Sequence, residues 1–164
     1  MIQMKALHKP GLLSLWCLGA ALSAAGCAVP GAVIRAEVAH TNTQTVLAFE
    51  ETVFNKHQVK EGFERYVGPS YKQHDPLLAD GRDGAIKALS YVMSKMFPNS
   101  RVVVKHTVAQ DDLVAAHVFW NQKPGETRGV AMVDIYRLEN GKIVEHWGVV
   151  QDVPEKAAND NSMF

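Results

Sequence analysis

Asp134 stands in the middle of an apolar run, Val130-Ala-Met-Val-Asp-Ile-Tyr136, where an unpartnered carboxylate would be costly to bury. His146 lies beside Trp147 in a second such run. His117 lies within Val114-Ala-Ala-His-Val-Phe119, and His106 follows Val102-Val-Val-Lys. An Asp–His pair on a pocket wall can do acid–base work. The aspartate takes a proton from carbon next to a carbonyl, and a histidine donates to, or hydrogen-bonds, the oxygen that gains charge. The alternative, which pattern alone favours, is a structural ion pair holding two strands together. His74, in the irregular segment Tyr71-Lys-Gln-His-Asp-Pro76, is a third candidate. A loop held by a scaffold often carries function, but a surface or capping histidine fits there as well.

The elements that must position these groups are legible from spacing. Thr41 to Thr45 supply N-cap residues, after which Val46, Phe49 and Val53 recur at helical spacing to about Asn55. A shorter helix places Val59, Phe63, Tyr66 and Val67 on one side and is stopped by Gly68-Pro69. After the extended Tyr71–Pro76 piece and an Asp80-Gly81 turn, a third helix carries Ile86, Leu89, Val92, Met93 and Met96 and ends before Pro98. From Val102 the period becomes two. Val102–Ala109, Leu113–Asn121, Arg128–Leu138 and Ile143–Val150 are four strand candidates joined by short turns, hence antiparallel. Phe49, Phe54, Phe63, Tyr91 and Phe97 read as core. The pattern is α+β: three N-terminal helices packed in a curved antiparallel sheet, one end of which stays open as a pocket.

The last hairpin decides whether Asp134 meets a histidine. If Glu139-Asn140-Gly141 forms a type I turn with a Gly141 bulge, Leu138 faces Lys142 and Asp134 lies opposite His146. Met132, Tyr136 and Gly148 then share that face. If the loop is the two-residue Asn-Gly turn, Asp134 faces Trp147. The bulged form is favoured because it pairs two otherwise stranded polar groups.

Composition excludes several classes. Lys+Arg and Asp+Glu both number 17, and the only charges among the first 27 residues are Lys5 and Lys9, so the remainder is slightly acidic. That gives no electrostatic reason to expect nucleic acid. The only cysteines are Cys17 and Cys27, so the body has no disulfide and no thiolate nucleophile. There is no His-Glu-x-x-His, no phosphate-cradling loop and no Gly-x-Ser-x-Gly elbow, and no metal site is expected.

Residues 1–27 read as an export signal: a basic start, then the apolar stretch Gly11 to Ala25, short for a membrane span of ~20 residues. Leu22-Ser-Ala-Ala-Gly-Cys27 resembles a bacterial lipobox, with Ala24 where a branched residue is usual. Two readings stand: lipidation at Cys27, or ordinary cleavage between about Gly26 and Ala36. The protein is then a membrane-anchored lipoprotein or periplasmic, touching the membrane only through that anchor. Residues 28–41 read as a linker or frayed end, and 42–164 as one domain.

Tyr-x-Gln-His-Asp-Pro (71–76), Ala-Asp-Gly (79–81), the run Asp-Ile-Tyr-Arg-Leu-Glu-Asn-Gly-Lys-Ile-Val-Glu-His-Trp (134–147) and the closing Ala-Asn-Asp-Asn-Ser-Met-Phe (158–164) resemble the SnoaL-like branch of the NTF2-like superfamily. The resemblance implies a cone-shaped fold, a homodimer, and acid–base chemistry on a small hydrophobic molecule without metal or organic cofactor. Members of this branch are often labelled aldol-condensation catalysts, and many have no established reaction. It implies His74, His117, Asp134, His146 and Trp147 as pocket positions. Asp134, His146 and His74 are the catalytic candidates. His117, Trp147, Tyr71, Met132 and Tyr136 are the substrate-binding ones. Relatives commonly read His-Trp-Asp where this chain has His146-Trp147-Gly148. The missing acid leaves a second expectation open: a non-catalytic module of the cell envelope that binds a small molecule or lipid.

Overall fold

The computed structural model describes residues 30–125 and 128–164. The export segment and Cys27 lie outside the described residues. Helix α1 spans Pro30–Glu50 and runs on through a π-turn, Glu51–Asn55. Then come α2 (Val59–Tyr66), β1 (Val67–Gln73) and α3 (Gly81–Tyr91), the last extended by a second π-turn, Val92–Met96. Four strands follow: β2 (Arg101–Gln110), β3 (Leu113–Asn121), β4 (Val130–Glu139) and β5 (Lys142–Asp152). Three helices pack against one curved sheet whose order is β1-β5-β4-β3-β2. Among the described residues no helix is long and apolar enough to cross a membrane.

Three local expectations change. The stretch read as a linker from 28 to 41 is helical from Pro30, although most of residues 31–41 stay exposed. Pro at the first helical turn lacks only an N–H that has no intrahelical partner anyway. Gly68-Pro69 does not merely stop α2; it lies inside β1, a fifth strand that pairs parallel with β5. Pro69 is tolerated because β1 is an edge strand with an irregular register there. Tyr91, expected in the core, is 60% exposed at the mouth of the cavity described below.

The core sits between the helices and the inner sheet face. Val46, Phe49 and Val53 of the first helical rod meet Phe63 of α2, Met93 after α3, and Val114, Ala116 and Val118 of β3, all buried. Phe49 packs edge-on against Phe63 at 5.4 Å and Tyr136 at 5.8 Å, and Phe63 against Tyr71 at 5.7 Å. This aromatic row seats the two tyrosines that border the site. Helix α2 crosses the first π-turn so closely that a Cβ on Gly62 would lie 2.5 Å from Val53 Cγ2. Asn55, at the end of that turn, accepts from Val102 N at 2.8 Å and donates to Val102 O at 3.2 Å, tying the rod to the edge strand β2.

The last hairpin has neither expected register. Asn140 and Gly141 both have positive φ, 51° and 73°, which makes a two-residue type I′ turn with Glu139 opposite Lys142. A bulge then intervenes: Leu138 pairs with Ile143 but Arg137 pairs with Glu145, leaving Val144 as the extra residue. Beyond it Tyr136 lies opposite His146 and Asp134 opposite Gly148. A one-residue slip turns every side chain to the other face, so this bulge is what brings His146 to the inner face at all.

Candidate active site

Inward residues of three adjacent strands enclose a cavity of about 500 Å³. Tyr71 and Gln73 come from β1, His146 and Gly148 from β5, and Met132, Asp134 and Tyr136 from β4. Phe49, Phe54, Leu89, Met93 and Trp120 supply most of the remaining apolar wall, and Leu77, Tyr91 and Met96 are exposed at its opening.

Asp134 is 6% exposed, and its Oδ1 lies 3.1 Å from His146 Nε2. The other ring nitrogen of His146, Nδ1, lies 2.9 Å from Gln73 Oε1. The network fixes the direction of these bonds. The backbone N–H of Asp75 donates to Gln73 Oε1 at 2.9 Å, so that atom is the amide oxygen. His146 Nδ1 must therefore carry a proton and donate. One further proton is shared between His146 Nε2 and Asp134 Oδ1. Gln73 Nε2 donates to the Tyr71 hydroxyl at 2.8 Å. The contact with Asp134 is diagonal across the ladder, because Gly148, the residue directly opposite, has no side chain to intervene. Asp134 Oδ2 and the Trp120 indole nitrogen, both buried, have no hydrogen-bond partner among the described residues.

A second carboxyl faces this group from the helical side. Glu50 of α1 is 1% exposed; the Tyr136 hydroxyl bonds to its Oε1, and its Oε2 has no partner among the described residues. Burial first, and the charge of Asp134 second, push the Glu50 carboxyl from 4.5 to about 8, against the opposing hydrogen bond from Tyr136. Burial likewise raises both tyrosines above the usual phenol range, Tyr71 with Asp134 adding to it and Tyr136 with Glu50 and Asp134 adding to it. At neutral pH Glu50 is thus predominantly neutral and brings its own proton to the bridge with Tyr136.

Of the expected site residues, Asp134, His146, Tyr71, Met132 and Tyr136 line the cavity. His74, His117 and Trp147 do not; strand alternation turns them to the outer sheet face. His74 stacks on Trp147 at 4.7 Å and 6° and bonds through Nε2 to Glu145 Oε1 at 2.8 Å. Arg137 Nε donates to the other oxygen of Glu145 at 2.6 Å. Bonds from His74 and Arg137 hold the Glu145 carboxylate below its usual range. His117, opposite Val133, stacks between His106 at 5.8 Å and Phe164 at 5.5 Å, so the final residue docks on the outer face. Two cavity-network residues escaped the sequence reading. Glu50 interrupts the apolar stripe of Val46, Phe49 and Val53, a signal of the same kind that singled out Asp134. Gln73 shares inward parity with Tyr71, which becomes visible only once 67–73 is known to be a strand. Among the described residues no group of three His, Cys, Asp or Glu side chains is arranged to hold a metal ion.

The family model of the SnoaL-like polyketide cyclases matches residues 44–158, which span β1, all four remaining strands and every cavity residue. The chain belongs to the SnoaL-like polyketide cyclase family. Solved structures with the same NTF2-like fold include TsrD from Streptomyces laurentii, at 18% identity and TM-score 0.55 over 66% of this chain and 87% of that one. A SnoaL-like protein of unknown function from Burkholderia thailandensis is 13% identical with TM-score 0.57, covering 68% and 95%. An NTF2-like protein of unknown function from Mesorhizobium loti is 18% identical with TM-score 0.56, covering 69% and 93%. Identities this low establish a shared fold and no more. No curated protein matches the chain. Gly148 lies directly opposite Asp134, and a Cβ added there would lie 3.4 Å from Asp134 Oδ1.

Proposed function

We propose that this SnoaL-like protein is a cofactor-independent acid–base enzyme acting on a small, largely apolar carbonyl compound, in a cyclase, aldol or isomerase type of reaction. The observation that carries the proposal is Asp134 Oδ2: a buried carboxylate oxygen with no partner among the described residues, on the wall of an apolar cavity of about 500 Å³. Asp134 takes the proton from carbon next to the carbonyl through Oδ2. His146, clamped by Gln73, fixes the carboxylate through Oδ1. The apolar walls hold the carbon skeleton and keep water from competing for the base.

The test is deuterium exchange at carbon next to the carbonyl of small apolar ketones in D2O, followed by NMR. The protein is expected to accelerate exchange, and folded Asp134→Asn to lose roughly 10²–10⁴ of that rate. Unchanged exchange in Asp134→Asn would refute the assignment. A second reading, a non-catalytic binding module, is favoured by Gly148, which leaves Asp134 without an acidic neighbour across the strand pair. Ligand retention without exchange on any ketone would select it.

Two further expectations belong to the same proposal. Residues 1–27 direct export, and mass spectrometry of the mature N-terminus distinguishes an acylated Cys27 from soluble release. A homodimer forms through the outer sheet face, where Val103, Val133 and Val149 are exposed. Phe119, Ile135 and Trp147 lie between them on the same face.

A further inference from the structure

Proton removal next to a carbonyl leaves negative charge on the carbonyl oxygen, and a site that catalyses it needs donors aimed where that charge develops. His146 cannot supply one. Its Nδ1–H is given to Gln73, and its Nε2 is engaged with Asp134 Oδ1. The cavity wall carries two hydroxyl groups that can, those of Tyr71 and Tyr136. Tyr71 accepts a hydrogen bond from Gln73 Nε2, which leaves its own O–H free to donate. The Tyr136 O–H lies on Glu50 Oε1, and because a neutral carboxyl carries a proton of its own the two can exchange donor and acceptor roles, which frees the tyrosine O–H. Both rings are held by the same edge-on aromatic row, Phe63 against Tyr71 and Phe49 against Tyr136. Asp134 and Tyr136 are two residues apart on β4 and share its inner face.

We propose that the Tyr71 and Tyr136 hydroxyls form the oxygen-binding subsite of the cavity, with Gln73 and Glu50 as the positioning residues that turn their O–H groups toward the ligand. The proposal rests on the acid–base reading above. In that step the C–H proton goes to Asp134 Oδ2, and the C–H electron pair becomes the new C=C bond. The carbonyl π pair moves onto oxygen, where the two hydroxyls bond to it. No other reactant is needed. The ligand class follows: compounds with one hydrogen-bond-accepting oxygen that becomes anionic, on an otherwise apolar frame.

The arrangement also sets a direction of pH dependence. The titratable groups facing Glu50 are Tyr136 and Asp134 of β4. His146 of β5 lies against the Tyr136 ring at 5.0 Å, and Tyr71 of β1 is within electrostatic reach of Tyr136. When Glu50 loses its proton it becomes an acceptor, recaptures the Tyr136 O–H and adds a negative charge. Affinity for an anionic oxygen then falls.

The experiment uses a dinitrophenol that stays ionised across the pH range as a stable mimic of the oxygen anion. Binding is read by its absorbance in the Asp134→Asn protein, which mimics the base after it has taken the proton. Tyr136→Phe and Tyr71→Phe in that background are each expected to weaken binding roughly 10- to 100-fold. The parent, in which the charge of Asp134 no longer adds to the rise, should lose affinity as Glu50 ionises, at a pH below about 8, and Glu50→Gln, which stays neutral and can still donate, should show no such loss. Equal affinity in both Tyr→Phe proteins, or the same pH dependence with and without Glu50, would overturn the proposal; so would failure of the parent to bind the anion. Binding does not require turnover, so the outcome is independent of whether any ketone exchanges deuterium. A folded wild-type protein that accelerates exchange while the Tyr→Phe proteins bind normally would leave the base assignment standing and remove this one alone.

Discussion

Replacing Glu50 by Gln should change the pH dependence of folding stability in a defined direction. In the unfolded chain Glu50 titrates at its ordinary 4.5; in the fold, burial and Asp134 push it to about 8. Between those values the folded state binds the proton that the unfolded state has released, so stability falls as pH rises. The contribution is fully present below 4.5, declines through the window, and stops changing above about 8. The rise from 4.5 to about 8 corresponds to ~5 kcal/mol between the two protonation states. Gln has nearly the same shape, stays neutral and preserves a bond to Tyr136. Carboxylates remote from Glu50 titrate in both proteins and cancel in the difference. Urea unfolding followed by tryptophan fluorescence, at intervals from pH 4.5 to 8.5, gives that difference directly. Relative to wild type, Glu50→Gln should gain several kcal/mol of stability across the window, with unchanged denaturant slope. Parallel stability curves for the two proteins would refute the reasoning, because they would mean that Glu50 keeps its ordinary titration when folded.

Other substitutions test the rest of the site. Gly148→Ala should be nearly neutral, because its Cβ meets Asp134 Oδ1 and His146 Cε1 at ordinary contact, 3.4 Å. Gly148→Asp sets a second carboxylate against Asp134, a repulsion on the order of 4 kcal/mol for charges ~4 Å apart at an effective dielectric constant of about 20, so its melting temperature should fall below that of Gly148→Ala at pH 8 and recover toward pH 4. Equal pH profiles for the two would contradict the register. His74→Ala should leave ketone exchange unchanged and reduce stability by no more than ~1 kcal/mol, since its partners Trp147 and Glu145 lie on the outer face; a large loss of exchange would return His74 to the site. On the proposal of a homodimer through the outer sheet face, wild type should be dimeric and Val133→Lys monomeric in light scattering; a monomeric wild type would remove the dimer, and a dimeric Val133→Lys would move the interface off that face.

Much of this protein follows from local periodicity. The helix period through Val46, Phe49 and Val53, and the period of two after Val102, depend on neighbours a few residues away, and those three residues with Val114, Ala116 and Val118 lie in the observed core, whereas Tyr91 does not. The polar interruption at Asp134 was legible for the same reason: whichever way the hairpin registers, a strand whose alternate residues are Met132, Tyr136 and Leu138 turns Asp134 inward. Its contact with His146 was anticipated, but the register that delivers it was not legible. His146 reaches the inner face only because a bulge at Val144 follows a two-residue turn, and one residue more or less would put it outside. The same parity removes Trp147, and pairing opposite Val133 removes His117. His74 leaves the site because 67–73 is an edge strand, paired parallel with a strand some seventy residues later, which no local pattern announces. Glu50 was visible as an acid on an apolar stripe, but its role depends on Tyr136, 86 residues away. Sequence alone determines which residues a strand or helix turns inward once the element is known. Which inward residues from different elements meet, and so which carboxyl is a base and which a proton holder, is decided by register and packing between distant segments.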